Sequence, residues 1–320
     1  MVTEVLPGLF RLGEKLGDRF FYQYLFVGER TLLVDTGVPA TPEEVIIPSL
    51  NEIGVKPSHI DFILITHSDV DHFGGNRNLR NQAPEALFLA HQLDAPLIED
   101  KDKILKERYG WYKKFGLGYP EETWAWLNKS AGSPIALDLY LSKEISIRIG
   151  KDRIVKLLHL PGHSSGHMAV YDKALGAIVV GDAVLGNGVV NTNMRIIAPP
   201  PYIDVEAYVD TITKILSLRP EYLFASHYPA FRGRNVTRFL QKSARFVREL
   251  ERNILEILHS NHEGLELSRI LHEADRLVGP FKSFSNELAA SIRAHLQKLE
   301  HERRVKRRTR GGKIIWQVIL

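Results

Sequence analysis

The chain has 320 residues, of which 44% are apolar and 25% charged, as in soluble globular proteins with one large domain or two ordinary ones. It contains no cysteine, which excludes disulfides, thiolate metal ligands and a cysteine nucleophile, so His and carboxylate side chains must hold any metal. The net charge is +4, and neither a signal-peptide pattern nor an apolar run of about 20 residues is present. We therefore expect a cytoplasmic protein without membrane contact.

Short apolar runs alternate with helical patterns through about the first 235 residues. Several of these runs are almost continuously apolar, which is typical of strands buried on both faces. A helix is predicted at 41–54, where Pro42 and two acidic residues occupy the first turn. The predicted strands cover residues 31–37, 59–66, 85–91, 153–160, 167–172, 176–182 and 220–227.

Two later regions break this alternation. Residues from about 92 to 134 include three of the four tryptophans and have little strand character, so we predict a helical aromatic insertion. From residue 237 the apolar spacing is helical, with further helices predicted at 267–278 and 285–302. A glycine pair at 311–312 then joins two strand-like runs, which is a hairpin signal. This order predicts a winged helix-turn-helix domain at 237–320, after a domain at 1–236.

The sequence THSDVDHFGGN at 66–76 places two His and two Asp within six positions, directly after an apolar strand. While the strand persists, alternate residues point to one side, so His67, Asp69 and Asp71 share a direction. The glycine pair that follows permits a bend, which turns His72 another way. Imidazole and carboxylate suit Zn²⁺, Fe²⁺ or Mn²⁺, and two-metal hydrolytic sites hold their ions about 3.5–4 Å apart. The segment therefore predicts ligands for two neighbouring metals.

THSDVDH resembles the HxHxDH signature of the metallo-β-lactamase superfamily, and four other segments resemble its further motifs in the same order. These are VDTG at 34–37, PGHSSGH at 161–167, GD at 181–182 and SHYPAF at 226–231, and the resemblance covers roughly residues 2–232. It implies an α/β fold, the αββα sandwich of that superfamily, here followed by the winged helix. It also implies two divalent metal ions with the ligands His67, Asp69, Asp71, His72, His163, Asp182 and His227.

The resemblance also assigns roles around these ligands. Asp71 is implied to bind metal and to orient a metal-bound hydroxide that attacks the substrate. Asp35 and His167 are implied to support the ligands without binding metal. Asp69 departs from the pattern, because most members carry His there, so it either binds the first metal or leaves that site weaker. We expect zinc, with iron or manganese as alternatives because a carboxylate favours harder ions.

The leading functional hypothesis is a metal-dependent hydrolase that attacks an ester, thioester or lactone carbonyl of a small molecule. The alternatives are a metal-dependent endoribonuclease, a nucleic-acid-binding regulator with a metal-sensing domain, and redox chemistry at a di-iron site. An aromatic wall would suit an acyl or aryl group of the substrate. The predicted substrate pocket consists of Trp111, Tyr112, Trp124, Trp126, Asn193 and Arg195.

A basic patch lies in the predicted wing. Residues 301–313 carry seven Lys or Arg against one acid. Such a patch suits non-specific contact with a nucleic-acid backbone, and a winged helix can also form a homodimer interface. The side chains expected to make phosphate contacts are Arg303, Arg304, Lys306, Arg307, Arg308, Arg310 and Lys313.

Overall fold

A computed structural model describes residues 2–319 as two β-sheets packed face to face, with helices on both outer sides. The first nine strands are β1 (Val2–Leu6), β2 (Leu9–Leu12), β3 (Lys15–Leu16), β4 (Arg19–Phe20), β5 (Gln23–Phe26), β6 (Thr31–Val34), β7 (Ile60–Leu64), β8 (Leu87–His91) and β9 (Leu139–Leu141). Seven of them form the first sheet in the order β1-β2-β5-β6-β7-β8-β9, and β3 pairs with β4 in a separate hairpin. Strands β6 to β9 are parallel.

The second sheet comes from the middle of the chain. The next strands are β10 (Ile145–Gly150), β11 (Arg153–His159), β12 (Met168–Asp172), β13 (Ala177–Gly181), β14 (Val189–Val190), β15 (Ile196–Ala198), β16 (Tyr222–Ala225) and β17 (Phe231–Arg232). Six of them form the sheet in the order β10-β11-β12-β13-β16-β17, while β14 pairs with β15. Strands β13 and β16 are parallel, and β11 runs in the same direction because two antiparallel pairings separate it from β13.

Ten α-helices and a C-terminal hairpin complete the described residues. The helices are α1 (Ile47–Glu52), α2 (Val70–Phe73), α3 (Asn76–Gln82), α4 (Ala95–Ile98), α5 (Lys101–Ile104), α6 (Glu121–Ser130), α7 (Val205–Leu218), α8 (Arg234–His259), α9 (Leu267–Val278) and α10 (Leu288–His301), and the hairpin is β18 (Val305–Arg310) with β19 (Lys313–Val318). Shorter π- and 3₁₀-helical turns lie at Pro42–Ile46, Pro57–His59, Leu105–Tyr109, Gly110–Phe115 and Ser285–Glu287. Within residues 2–319, no helix has both the length and the apolar character that a bilayer crossing requires.

Alternation along the strands fills the inner layers of this four-layer α/β sandwich. Leu32 and Val34 of β6 point into a core between the two sheets. Leu33 of β6 and Ile63 of β7 point the other way and pack with Leu50 of α1. Both faces of the first sheet are therefore buried at its centre, which explains why the central strands β6, β7 and β8 are almost continuously apolar.

The carboxyl ends of the parallel strands meet at one edge of the sandwich. Met168 N, at the start of β12, donates a hydrogen bond to Thr66 O, which follows β7, at 2.7 Å. Tyr22 N donates to Ser226 O, which follows β16, at 3.0 Å. Loops that are far apart in sequence are thus brought together at this edge, where open α/β sheets commonly bind ligands.

The C-terminal segment, defined here as residues 237–319, shares its core with the second sheet. Leu250 and Ile254 of α8 are fully buried in the same hydrophobic cluster as Ile212 of α7 and Leu223 of β16. Helix α8 begins at Arg234 and runs across the predicted boundary at 236. One continuous apolar core therefore stabilises the two parts together.

Glu251 ties α8 to α10. Its Oε2 accepts a hydrogen bond from Lys298 Nζ at 2.9 Å and lies 3.3 Å from His295 Nδ1. The hydrogen bond with His295, and then the one with Lys298, lowers the pKa of Glu251 from 4.5 to about 2, although partial burial opposes this. Ionised Glu251 therefore stabilises the fold above about pH 4.5, and this contribution is lost as the pH falls towards 2.

We expect Glu251→Gln to lower the free energy of unfolding by about 1–2 kcal/mol at pH 7, a figure that allows for solvent screening of a partly exposed group. At pH 2 most of this difference should be gone, because about half of the Glu251 carboxyls are then neutral and the rest of the contribution is small. Urea unfolding at the two pH values measures this, with the exposed Glu256→Gln as the control. An equal loss of stability at both pH values would contradict the assigned ionisation.

Candidate metal centre

The structure brings all seven predicted metal ligands together at the edge where β7, β13 and β16 end. His67 and Asp69 lie after β7, Asp71 and His72 in α2, His163 between β11 and β12, Asp182 directly after β13 and His227 after β16. Two groups each have their ligand atoms within 4.8 Å of one another, namely His67 with His163 and Asp182, and Asp71 with His72 and His227. Asp182 lies between the groups, since its Oδ2 is also 3.2 Å from His227 Nε2 and 3.6 Å from His72 Nε2.

Each of the four histidines turns Nε2 towards this centre because its Nδ1 is already bonded. The Nδ1 acceptors are Thr66 Oγ1 for His67, Asp35 Oδ2 for His72, Pro201 O for His163 and Phe20 O for His227, at 2.7–2.9 Å. A bond of this kind fixes the tautomer and the ring orientation of a metal-binding imidazole. Nε2 is therefore the ring atom that each of the four histidines offers to a cation.

Unpaired buried atoms show that these side chains fit metal ions. His67 Nε2, His72 Nε2 and Asp182 Oδ1 are buried and have no hydrogen-bond partner among the described residues. Buried polar atoms are seldom left unpaired in folded proteins. Imidazole nitrogens and carboxylate oxygens suit Zn²⁺, Fe²⁺ or Mn²⁺. Divalent cations would therefore satisfy the atoms that the protein itself leaves without partners.

The two predicted supporting residues lie behind the ligands. Asp35 accepts hydrogen bonds from Thr66 N and Thr66 Oγ1, at 2.7 and 2.9 Å, as well as from His72. His167 Nε2 accepts a hydrogen bond from the backbone N–H of Asp182 at 3.2 Å. Burial lowers the pKa of His167 well below its usual value, so this ring stays neutral and keeps Nε2 as an acceptor. Both side chains can thus orient ligands without contacting a metal.

Asp94 joins two ligand loops, and the sequence analysis missed it. Its Oδ2 accepts hydrogen bonds from Ser68 N at 3.0 Å and from Ser164 Oγ at 2.6 Å, and its Oδ1 accepts one from Gly166 N at 2.7 Å. The loop that carries His67 is therefore tied to the loop that carries His163. No local pattern marks Asp94, because its three partners become neighbours only in the fold.

Asp69 faces both the metal ligands and a partly buried arginine, Arg108. Its Oδ1 and Oδ2 accept hydrogen bonds from Arg108 Nε at 2.8 Å and Arg108 Nη2 at 3.1 Å. Asp69 Oδ2 also lies 3.2 Å from His163 Nε2 and 3.7 Å from His67 Nε2. Arg108 Nη2 is in turn 3.6 Å from Glu287 Oε2 in the C-terminal segment. The carboxylate is thus within reach of the first ligand group while a guanidinium offsets part of its charge.

The buried carboxylates of the site attract positive charge. Although burial opposes protonation, Asp35 and Asp182 raise the pKa of His72 well above its usual value. His227 and His72 in turn hold the pKa of Asp182 well below its usual range, against the effect of burial. The environment therefore favours a proton or a metal ion at the position between these side chains.

A cavity of about 50 Å³ opens onto the ligands, and one residue of the predicted substrate pocket, Trp126, lines it. Trp124 lies two positions away on α6 and is exposed, because residues two apart on a helix point in nearly opposite directions. The other lining side chains include Arg19, Tyr109, Phe284 and Glu287, none of which the sequence analysis identified.

The structure places the remaining predicted pocket residues away from this cavity. Tyr112 is fully buried, and Trp111 stacks on it with ring centroids 4.0 Å apart. The Arg293 guanidinium lies over the Trp111 ring, with its Cζ 5.0 Å from the ring centroid. Asn193 and Arg195 lie exposed in the turn between β14 and β15. Trp111 and Tyr112 lie away from the cavity because their apolar rings pack against each other and against neighbouring side chains.

The family profile described as "Metallo-beta-lactamase superfamily" matches residues 17–227, which include all seven candidate ligands. The chain belongs to this superfamily. It is 27% identical to the probable metallo-hydrolase YqjP of Bacillus subtilis over 217 residues, or 64% of this chain and 66% of that protein. It is 26% identical to a hydroxyacylglutathione hydrolase of Synechococcus over 167 residues, or 52% of this chain and 50% of that protein.

A solved structure shows the same superfamily fold. The metallo-β-lactamase family protein of Thermus thermophilus superposes with a TM-score of 0.74 at 21% identity, over 99% of this chain and 100% of that one. The two sequence matches above, by contrast, span less than two thirds of each relative's own length. Membership of the superfamily supports a metal-dependent hydrolase, and the fold together with the two ligand groups implies divalent metal ions.

Asp69→His is expected to shift the metal preference of the first ligand group towards zinc, since imidazole is a softer ligand than carboxylate. The change also leaves Arg108 without its main partner, so the double variant Asp69→His, Arg108→Met avoids an uncompensated buried cation. Competition titration should show the zinc-to-manganese affinity ratio rising by at least about tenfold in the double variant. A ratio unchanged from the wild type would count against Asp69 as a ligand.

Proposed function

We propose that the protein is a metal-dependent hydrolase that attacks an ester, thioester or lactone carbonyl of a small molecule. The observation that carries this proposal is the convergence of two groups of three ligand side chains beside one small cavity, which four of the six side chains line. Two neighbouring divalent ions suit a displacement in which a nucleophile and a carbonyl oxygen both need stabilisation. Similarity to a probable metallo-hydrolase and to a hydroxyacylglutathione hydrolase supports the same reaction class.

The chain's own groups have distinct tasks in this reaction. When bound, two divalent cations supply Lewis acidity and lower the pKa of a coordinated water to about 7. Asp71 lines the cavity, and Arg19 and His72 keep its pKa below the usual value although burial raises it. Its ionised carboxylate can therefore orient a water or accept its proton. Phe21 stacks on His227, with ring centroids 5.9 Å apart, and keeps solvent from that side of the ligand.

A small-molecule substrate is favoured over RNA by the distribution of charge. Four of the seven cations in residues 301–313 pair with acids within the C-terminal segment, which reduces the counterion release they could supply on binding phosphates. These pairs are Arg304 with Glu251 at 3.5 Å, Arg307 with Glu300 at 3.9 Å, Arg310 with Glu263 at 2.6 Å and Lys313 with Glu266 at 2.9 Å.

We propose further that the C-terminal segment is a winged helix-turn-helix whose main task is packing. The order of α8, α9, α10 and the β18–β19 hairpin supports this assignment, and the shared core supports the packing role. A homodimer, non-specific nucleic-acid contact and a cytoplasmic location stay predictions from the sequence. Zinc likewise stays the predicted metal, with iron or manganese as alternatives because of Asp69.

The proposal is tested by offering the purified, metal-loaded protein a neutral ester, a thioester, a lactone and a labelled RNA in parallel. We expect turnover of at least one of the three carbonyl substrates, its loss on chelation, and its return on adding metal. Cleavage of RNA alone, with no turnover of the carbonyl substrates, would replace the proposal with the endoribonuclease alternative.

A charge reversal separates the basic patch from catalysis. Arg303, Arg307 and Arg308 are exposed and do not line the metal cavity. The triple change to Glu should leave turnover of a neutral ester within about twofold, because exposed charges are screened beyond about 10 Å at ordinary salt. Steady-state kinetics and a melting curve check this. Loss of ester hydrolysis in a folded variant would place the patch in the active site.

A further inference from the structure

A second cavity, of about 350 Å³, adjoins the metal cavity on its outer side. Arg19, Trp126 and Phe284 line both cavities and so form the passage between them. The ring centroids of Trp126 and Phe284 are 6.1 Å apart, and the Arg19 guanidinium lies 5.6 Å from the first and 5.9 Å from the second. A substrate that reaches the metal ligands through this opening must pass along Arg19.

Arg19 has hydrogen-bonding capacity that the protein does not use. Its Nη2 donates to Asp71 Oδ2 at 3.1 Å, and this is its side chain's single hydrogen bond to the described residues. A guanidinium carries five N–H donors in a planar fork that matches a carboxylate. The side chain is 16% exposed and lines both cavities, so a ligand in either cavity can reach the remaining donors. Arg19 can therefore bind a second anion.

The outer cavity has the character of a site for an apolar group. Its walls include Leu16, Val189 and Ile197 in addition to the two aromatic rings. The acids on its lining, Asp18 and Glu122, are exposed and lie on the outer β3–β4 turn and the first turn of α6. These two acids repel a ligand that carries several negative charges. A single carboxylate bound at Arg19, inside the cavity, is much less affected by their repulsion.

We propose that Arg19, with the outer cavity, selects an acyl substrate that has one carboxylate near its scissile carbonyl and an apolar or aryl remainder. The carboxylate pairs with Arg19, and the remainder occupies the space between Trp126, Phe284 and Val189. That the ligand is a substrate rests on the proposed function. The binding of a carboxylate at Arg19 can be measured without any hydrolysis. Arg19 is thus a specificity-determining residue.

Calorimetric titration of the metal-loaded protein tests the site without catalysis. The probes are 3-phenylpropionate, its neutral amide and acetate, and the variants are Arg19→Gln, Arg19→Lys and Trp126→Ala. Arg195→Gln, which removes an exposed arginine outside both cavities, is the matched control. Metal content is measured for every variant, so that a disturbed Asp71 is recognised.

The wild type and Arg195→Gln should bind 3-phenylpropionate roughly 10- to 100-fold more tightly than the amide, as a charge-assisted hydrogen bond predicts. Arg19→Gln should lose this preference to within about threefold, Arg19→Lys should retain part of it, and Trp126→Ala should weaken 3-phenylpropionate but not acetate. The same preference in Arg19→Gln as in the wild type would mean that the metals alone bind the carboxylate, and would overturn the proposal. A wild type that does not bind 3-phenylpropionate would also overturn the proposal.

A hydrolysis assay distinguishes this inference from the proposed function. The mono-4-nitrophenyl ester of glutaric acid is compared with the same compound capped as its methyl ester. We expect Arg19→Gln to raise KM for the anionic ester far more than KM for the capped ester, whereas any loss of kcat that arises through Asp71 should be the same for both esters. Hydrolysis of both esters by the wild type with equal kcat/KM would support the proposed hydrolase and contradict the carboxylate site at Arg19. Binding of 3-phenylpropionate without hydrolysis of either ester would contradict the proposed function and still support the carboxylate site.

Discussion

Replacing Asp182 by Asn is expected to remove one or both metal ions and to lower kcat/KM for an ester by at least about 100-fold. Asp182 belongs to the first ligand group and its Oδ2 also lies 3.2 Å from His227 Nε2 and 3.6 Å from His72 Nε2 of the second, while its Oδ1 has no protein partner in the described structure. A neutral amide is a poorer ligand than a carboxylate. Even residues that merely orient a metal ligand typically contribute 10- to 100-fold to metal affinity or activity, so a ligand shared by two ions should contribute at least as much.

Elemental analysis after dialysis and steady-state kinetics measure this effect. The control is Asp210→Asn, which makes the same chemical change at an exposed position on α7. Circular dichroism should show that both variants fold. A fully loaded and fully active Asp182→Asn protein would show that the two ligand groups do not share this side chain.

Deleting residues 237–320 is expected to prevent folding to a soluble protein. The deletion would uncover the apolar faces that α8 and α10 cover, including Ile212 of α7 and the buried ring of Tyr228. It would also remove Phe284 and Glu287 from the cavity wall. Large contiguous apolar surfaces of this kind cause aggregation when nothing covers them.

A point substitution tests the same coupling without a deletion. Leu250→Ala in α8 should lower the free energy of unfolding by about 2–5 kcal/mol, because the side chain is fully buried. Leu277→Ala, at a leucine that is 59% exposed, is the matched control and should cost far less. Thermal unfolding followed by calorimetry should remain a single transition. A soluble, active truncated protein, or two separate transitions, would show instead that the C-terminal segment folds independently.

The ligand set could be predicted from the sequence because its members occur in short motifs at strand ends. Four of the seven lie within residues 67–72, and the strand that precedes them is marked by its own apolar run. Motifs with fixed spacing are local, so one chain is enough to recognise them. The order of the three C-terminal helices and the hairpin is also a local property, and it could be predicted for the same reason.

The residues that surround the ligands could not be predicted, because their roles depend on long-range contacts. Arg108 and Asp69 are 39 positions apart, and Arg19 and Asp71 are 52 apart. Neither arginine differs in its local sequence from a solvated surface cation. An aromatic residue presents the same difficulty, since composition alone does not tell the cavity-lining Trp126 from the buried Tyr112.

The shared core shows a further limit of sequence patterns. Apolar spacing in α8 indicates that the helix buries one face, and the face that contains Leu250 is indeed buried. The pattern does not indicate the surface against which the helix packs. The sequence therefore predicts an appended domain at 237–320, whereas the structure shows α8 beginning at Arg234 and packing into the core of the second sheet.

Anomalous diffraction from crystals of the metal-loaded protein tests the central claim most directly. We expect two peaks about 3.5–4 Å apart, one bonded to His67, His163 and Asp182 and the other to Asp71, His72 and His227. Ligand bonds should be about 2.0–2.2 Å long. No ordered peak between these side chains at saturating metal, or peaks bonded only to other residues, would contradict the metal centre on which the proposed hydrolase depends.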